Sequence, residues 1–372
     1  MSGVIINGRF LVHRITGVER YAREIIGELD RIANPREFEL AVPPGVKEIP
    51  KYENISVIPV GALRNRLWEH LSFPRYVRER GAVSLNLCNT APLPDPGIVC
   101  IHDMKIQTRP GDFSRGFLTW YRLLFRNETK RAKLILTVSE FSKKEICKYY
   151  QVDPDRILVI PNGWQHFERV PYDEEALAKY GLVKRKYFFS LSSMEPNKNF
   201  RWIAEAARNH PEETFAVAGS VNETVFAGGL GFERPENMKL LGYISDGEAK
   251  TLMRDCRAFL FPTFYEGFGI PPLEAMAAGC RQVIVSDTEV MHEVFGDAVG
   301  YIDPTGPSVP PGSGADGESL PLPLEHGFSE AGISSSFDPA SPGSEPGGPL
   351  SHYSWAGSAR KLYDNLKKTG FL

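Results

Sequence analysis

Cysteine is scarce and scattered in this sequence. Its 372 residues hold five, Cys88, Cys100, Cys147, Cys256 and Cys280, with no Cys-x-x-Cys pair. That pattern excludes a disulfide framework and a cysteine zinc site, and fits free, mostly buried thiols in a reducing compartment. No apolar run approaches the roughly 18 residues of a membrane span. The opening residues, Met1 to Arg9, lack the apolar core of a signal peptide. A large charge imbalance is also missing: the net charge of −3 argues against a general nucleic-acid binder. The expectation is a cytoplasmic protein whose membrane contact is at most peripheral, at the inner face. A carboxylate pair suited to metal is lacking too. Asp153-Pro-Asp155 precedes the apolar run Ile157–Ile160 and reads as a turn, so no metal role is assigned.

What is present is a repeated strand–turn–helix rhythm. Apolar segments at Val4–Ile6, Glu39–Val42, Ser56–Pro59, Ser84–Cys88, Gly97–Ile101, Leu134–Val138 and Arg156–Ile160 read as buried strands. Val18–Ile32 has helical spacing, and Ser139-Glu-Phe-Ser142 reads as a helix cap. The pattern restarts with strands at Tyr187–Leu191, Thr214–Ala218, Met238–Leu241, Ala258–Phe261 and Val283–Val285. Strands alternating with helices imply parallel sheets. The fold class is therefore α/β, with two Rossmann-like doubly wound domains. Their boundary falls near 168, and the default ligand site is a central cleft between facing domains. The rhythm fails over 304–350, where 9 Gly, 10 Pro and 9 Ser fill 47 residues and Lys and Arg are absent. That segment reads as disordered or aberrant. A helical pattern returns at 351–372.

The most specific chemistry lies in Phe261-Pro-Thr-Phe-Tyr-Glu266-Gly-Phe-Gly-Ile-Pro-Pro-Leu-Glu274. Two carboxylates stand eight positions apart, separated by a Gly267-Phe268-Gly269 loop and a double proline. Prolines suit a first helical turn, where a missing N–H costs nothing. Glu266 is expected in the loop and Glu274 in the first turn of a helix starting at Pro272. Loop amides and a helix N-terminus attract anions, and the carboxylates suit hydroxyls. A nucleotide sugar carries both groups.

This segment and the two-half layout resemble glycosyltransferase family 4, of the GT-B fold. Thr16-Gly17-Val-Glu-Arg20, His102-Asp103, Val138-Ser-Glu-Phe-Ser142, Ile160-Pro-Asn-Gly163, Glu195-Pro-Asn-Lys198 and Tyr353-Ser-Trp355 fall in the family's order. The resemblance implies an acceptor domain over 1–168, a nucleotide-sugar domain over 169–303, and a terminal helix over 351–372 packing back on the first domain. It implies a retaining transferase that moves a sugar from a nucleotide-diphosphate donor to a glycan or lipid-linked acceptor, without metal or cofactor. Glu274 would bind the ribose and Glu266 the donor sugar. Lys198 would neutralise the diphosphate, helped by Gly267, Phe268, Gly269 and Ile270. Gly17 would let backbone approach the phosphates, and His102 would touch the transferred sugar or acceptor. Ile6-Asn-Gly-Arg-Phe-Leu11 with Thr16-Gly-Val-Glu-Arg-Tyr21 resembles bacterial exopolysaccharide members of the family, some of them mannosyltransferases, which implies GDP-mannose as the favoured donor and polysaccharide or glycoconjugate biosynthesis as context.

The sequence departs from the family at Ser193, where many members carry arginine, so serine hydroxyls or amides must compensate at the donor site. After Gly279 the text reads Cys280-Arg281 rather than a small residue and proline. These departures keep a second reading open, a catalytically impaired nucleotide-sugar-binding homologue. Two basic, aromatic stretches, Arg64–Trp68 and Arg115–Arg131, read either as amphipathic helices on a sheet or as a surface for anionic lipid or a lipid-linked acceptor.

Overall fold

The computed structural model describes residues 3–219, 234–306 and 348–372. They form two compact units, Met1–Gly163 with Tyr353–Leu372, and Trp164–His352. Most of the Gly/Pro/Ser-rich segment, 307–347, lies outside the described residues. Its edges are ordered: Asn199 Nδ2 donates to the Pro304 carbonyl at 2.8 Å, and a short helix begins at Pro349.

The first unit is built on a seven-stranded sheet: β1 (Val4–Asn7), β2 (Phe38–Val42), β3 (Ser56–Pro59), β4 (Val83–Asn86), β5 (Ile98–Cys100), β6 (Leu134–Thr137) and β7 (Ile157–Val159). The strands are parallel, in the order β3-β2-β1-β4-β5-β6-β7. Every residue of β1 is buried, as expected for a strand covered on both faces. The helix Gly17–Ile32 presents Tyr21, Ala22, Ile25, Ile26 and Leu29 to the core at helical spacing. The terminal helix Trp355–Lys368 packs on it with Trp355, Ala359, Leu362 and Leu366. Tyr21 and Trp355 meet edge to face at 6.0 Å, and Ser358 Oγ donates to the Pro161 carbonyl at 2.7 Å.

The second unit repeats the plan with six parallel strands: β8 (Tyr187–Leu191), β9 (Thr214–Ala218), β10 (Met238–Gly242), β11 (Ala258–Phe261), β12 (Val283–Ser286) and β13 (Gly300–Ile302). Their order is β10-β9-β8-β11-β12-β13. Phe188 stacks on Phe215 at 5.0 Å between neighbouring strands, and the helix Phe200–Asn209 covers that face with Phe200 and Ile203. Gly219 closes β9, where a Cβ would fall 1.8 Å from the Ser192 carbonyl oxygen. No helix among the described residues is long and apolar enough to cross a membrane.

The chain passes between units at Gly163 rather than at 168. The physical reason is the anchoring of 164–168 in the second unit. Trp164 Nε1 donates to the Leu350 carbonyl at 2.9 Å, and Lys250 Nζ donates to the Phe167 carbonyl at 2.6 Å.

One buried acid in the first unit has a stability consequence. Glu128 is fully buried; its Oε1 accepts the Ala91 N–H at 2.9 Å and its Oε2 has no partner. Burial, reinforced by the neighbouring Glu69 charge, pushes its carboxyl well above the usual value of 4.5. A carboxyl raised in the folded state binds its proton more tightly there than in the unfolded chain. Its contribution is fully present below about pH 4.5 and is lost as pH rises toward the folded value. Glu128→Gln is therefore expected to flatten the decline in stability from weakly acidic to neutral pH, and to raise stability at neutral pH. Urea unfolding of both proteins across that range checks this; parallel pH profiles would contradict it.

Candidate functional site

In a doubly wound sheet of order 3-2-1-4-5-6, the loops leaving strands 1 and 4 turn to opposite faces and leave a crevice at their carboxyl ends. In the second unit these strands are β8 and β11, paired through Ala258–Phe188 and Phe259–Phe189. The loops that follow them, residues 192–199 and 262–269, hold most of the expected site residues. They are joined at three places. The Phe264 N–H donates to the Asn197 carbonyl at 2.8 Å, Asn197 Nδ2 donates to the Tyr265 carbonyl at 3.3 Å, and Lys198 Nζ meets Glu266 Oε1 at 2.6 Å. The Lys198 ammonium also lies 5.6 Å from the centre of the Phe261 ring. Asn199, in the left-handed region with φ 55°, ends the turn Pro196–Lys198 and opens the helix Phe200–Asn209. Lysine and glutamate, 68 residues apart in sequence, thus share one ion pair with side chains only 16% and 15% exposed.

Gly269 sets the other half of the site. Its φ of +105° is in the left-handed region, and a Cβ there would come 3.1 Å from Met291 Cε. It caps a helix spanning Ile270–Ala277, so the helix starts two residues before the Pro272 expected from the sequence. Glu274 consequently sits in the second turn, not the first, and gains little from the dipole, whose influence fades within one turn. The cause is that Pro271 and Pro272 are both accommodated inside the first turn, where neither needs an N–H partner. Of the four N-terminal positions that lack intrahelical partners, only Gly269 and Ile270 therefore carry an N–H for an anion. Gly267 and Phe268 are buried in the loop before them. Ser193 is exposed in the loop after β8.

Glu274 is 7% exposed and is held by a residue that sequence reading missed. His166, 3% exposed, places Nε2 2.7 Å from Glu274 Oε1. The signal available was a histidine just after Asn162-Gly163, in the stretch expected to hold the domain boundary. Its partner lies 108 positions away, so no local spacing reveals the pair.

The first unit has its own switch point, between β1 and β4. There a cavity of about 200 Å³ is lined by Asn7, Arg9, His13, Glu69, Thr90 and Tyr121, among others. Glu69 is 2% exposed and accepts from Asn7 Nδ2 at 3.0 Å and from Thr90 Oγ1 at 2.8 Å, with Arg9 Nε at 3.3 Å. Arg9 also donates to Thr90 Oγ1 at 3.2 Å. Sequence reading did not single out these residues, because Glu69 reaches the site from a helical run distant from β1.

Two expected site residues belong to this unit and behave differently from expectation. His102 is not among the residues lining the cavity; it is 6% exposed, and its ring stands edge-on to Tyr21 at 4.8 Å. Nε2 lies 2.8 Å from the carbonyl of Leu87, which does line the cavity. A carbonyl only accepts, so Nε2 carries the proton. Burial lowers its pKa, favouring the neutral ring. In this arrangement His102 supports the cavity wall. Gly17 is the exposed first residue of its helix, without a positive φ. Glu19 folds back over that helix start, accepting the Thr16 N–H at 3.1 Å and the Thr16 hydroxyl. Burial raises the Glu19 carboxyl, but hydrogen bonds from His13 and Thr16 outweigh it and hold the pKa below 4.5. A carboxylate therefore occupies the helix start at which backbone was expected to meet phosphate. Asp153, set aside as a metal ligand, accepts the Asp155 N–H at 3.0 Å in a turn.

Comparison with known proteins agrees with both halves. Residues 173–314 match the family described as Glycosyl transferases group 1, and residues 15–165 match Glycosyltransferase Family 4. The O-antigen chain mannosyltransferase B of Escherichia coli is 32% identical over 222 residues, covering 56% of this chain and 57% of that protein. The chain thus spans little more than half the length of the curated relatives it matches. The sucrose-phosphate synthase of Thermosynechococcus elongatus superposes with a TM-score of 0.60 at 14% identity, covering 82% of this chain and 86% of that one. The Anabaena protein Alr3699/HepE, solved in complex with UDP-glucose, gives 0.59 at 15%, with the same coverage. At these identities the likeness shows the fold, which is GT-B.

The His166–Glu274 contact is directly testable. His166→Ala takes a donor from a buried carboxylate and is expected to destabilise the second unit by about 1–3 kcal/mol. His166→Gln, which keeps a donor, should recover part of that loss. Urea unfolding measures both; an alanine variant as stable as the parent would contradict the role.

Proposed function

The chain belongs to glycosyltransferase family 4, and from that premise we propose that it is a retaining glycosyltransferase. It moves a sugar from a nucleotide-diphosphate donor to a glycan or lipid-linked acceptor in polysaccharide or glycoconjugate biosynthesis. The observation that carries this reading is two contacts that anchor the loop and the helix following β11, Lys198–Glu266 and His166–Glu274. The donor site lies in the second unit. Glu274, oriented by His166, accepts the ribose hydroxyls. Lys198 and the amides of Gly269 and Ile270 face the diphosphate. Glu266 holds the hydroxyls of the donor sugar, and its pairing with Lys198 keeps both side chains in place before the donor arrives.

The reaction breaks the bond between the anomeric carbon and a diphosphate oxygen. It forms a bond from that carbon to the acceptor oxygen on the same face, and the acceptor proton departs with the nucleoside diphosphate. Positive charge develops on the sugar and negative charge on the leaving group. A fixed ammonium and backbone N–H groups aimed at the diphosphate stabilise that separation directly, so this scheme assigns no step to a metal.

The first-unit cavity is the acceptor site. At about 200 Å³ it is below the usual ~300–1,000 Å³ of small-molecule sites, which suits one end of a glycan rather than a whole nucleotide sugar. Arg9 and Glu69 balance each other's charge there, and the Glu19 carboxylate, which also lines the cavity, repels an anion, so the cavity suits the hydroxyls of a glycan. Mannose is the favoured sugar because a relative is named an O-antigen chain mannosyltransferase, and GDP-mannose is the first donor to test. We place its work in the cytoplasm, with any membrane contact peripheral and at the inner face.

A thermal-shift screen of nucleotide sugars, followed by product analysis, tests the proposal. A donor at about a hundredfold its Kd stabilises the native state by about 2.7 kcal/mol, and GDP-mannose is expected to do so. Glu274→Ala should abolish the shift. Lys198→Ala should lower kcat about 10²-fold or more, as expected for a lost oxyanion donor. Binding with neither transfer nor hydrolysis would favour the catalytically impaired reading, and absence of any shift would contradict the donor site.

A further inference from the structure

We propose that Cys256 and Cys280 are a site of reversible oxidation, closing into a disulfide that ties the helix Asp246–Asp255 to the end of the helix that carries Glu274. The two thiols belong to different elements of the second unit. Cys256 caps the C-terminus of the helix Asp246–Asp255, its N–H donating to the Leu252 carbonyl at 3.1 Å. Cys280 lies just past the helix Ile270–Ala277, its N–H donating to the Ala275 carbonyl at 3.0 Å. Although 24 positions separate them in sequence, their sulfurs are 3.5 Å apart. A buried cysteine is commonly a small apolar filler, but a filler has no need of a second sulfur in contact with it.

The surroundings favour reaction at Cys280. Arg185 is held in the left-handed region at φ 63°, its N–H on the Asp255 carbonyl and its Nη1 on the Cys256 carbonyl, both at 2.8 Å. Its Nε is buried with no hydrogen-bond partner among the described residues. The guanidinium is thus a fixed cation beside both sulfurs, and a cation favours the reactive thiolate. In the resting pair each thiol also has a carbonyl in reach, Met253 for Cys256 at 3.1 Å and Gln282 for Cys280 at 3.2 Å. The Cys256 S–H, turned to Cys280, holds that thiol below its usual value of 9.0 despite burial, with backbone hydrogen bonds and Arg185 assisting. Burial pushes the Cys256 thiol well above the same value. Cys280 is therefore the attacking sulfur and Cys256 the resolving one. Cys280 is 5% exposed, the space beside Gly279 is open, and Arg281 is exposed, so a small oxidant reaches it.

With hydrogen peroxide as oxidant the step balances. The Cys280 sulfur attacks one peroxide oxygen, the O–O bond breaks, and a sulfenic acid and one water result. The Cys256 sulfur then attacks the Cys280 sulfur and expels its hydroxyl, which takes the Cys256 proton and leaves as a second water. Two sulfurs are oxidised, one peroxide is reduced, and a dithiol reductant reverses the change. Closure draws the sulfurs from 3.5 Å to about 2.0 Å. The Cys280 N–H bond to Ala275 passes that displacement to the last turns of the helix, next to Glu274. In a reducing compartment such a bond is transient, as in redox sensing. An effect on donor binding through Glu274 rests on the transferase reading; the disulfide itself does not.

Disulfide mapping of the native full chain tests this without donor or acceptor. After brief exposure to hydrogen peroxide, unfolding and alkylation, Cys256 and Cys280 are expected to be joined. Two of the five free thiols are then lost, and dithiothreitol restores both. Cys147, less buried than either, should stay a free thiol, because its pKa is raised rather than lowered. Amide exchange over 275–280 should slow in the oxidised protein, since a cross-link hinders local opening. Cys256→Ser should leave Cys280 as a sulfenic acid that dimedone labels, and Cys280→Ser should leave Cys256 unmodified. Consumption of Cys147 before the pair, or a pair still fully alkylated after peroxide, would overturn the proposal. So would dimedone on Cys256 in place of Cys280, or unchanged exchange over 275–280 once the disulfide has formed.

Discussion

Strand order is the constraint on which both candidate sites depend. Each sheet begins at an inner strand, winds outward to one edge, and then crosses back to continue on the other side. The crossing places β4 beside β1 and β11 beside β8, although long stretches of chain separate the members of each pair. At their carboxyl ends the loops diverge and cannot cover one another. Lys198, Glu266 and Gly269 stand at one such opening, and Asn7, Arg9 and Thr90 at the other. The same topological step, taken twice, supplies two polar crevices on two apolar scaffolds.

The two crevices differ in charge, and that difference supports different ligands. In the second unit the lysine is matched by one carboxylate, while a further buried carboxylate is matched by histidine. Two carboxylates, a lysine and a histidine are thereby held in place by one another. In the first unit Glu69 is bound by asparagine, threonine and arginine at once, and the helix start nearby is occupied by Glu19 rather than left open to an anion. A diphosphate is better received at the first of these sites, and a neutral glycan at the second.

Much of this was legible in the sequence because it is local. The strands Tyr187–Leu191, Thr214–Ala218 and Ala258–Phe261 were read with their observed limits, since mostly buried apolar runs bounded by turns admit few alternatives; Ser56–Pro59 has the expected limits but is an edge strand with no buried residue, not the buried strand expected. The segment from Glu266 to Glu274 was legible because loop, glycines and helix start are contiguous. The exceptions are informative. The helix began at Ile270 rather than Pro272 because Gly269 takes a left-handed conformation that the sequence permits but does not require. His166, Arg9 and Glu69 were missed because their partners lie at long range and become neighbours only through the sheet crossing. The resemblance placed His102 against the transferred sugar or acceptor; the structure shows its ring nitrogen at the Leu87 carbonyl, a partner that periodicity does not reveal.

The central claim is that the switch point of the second unit receives the nucleotide sugar. Hydrogen–deuterium exchange, with and without the nucleotide sugar giving the largest thermal shift, tests it most directly. The account predicts slowed exchange in 193–199 and 262–274 together, with 164–168 following because His166 is bonded to Glu274. Protection confined to other segments, with these three unchanged, would contradict it.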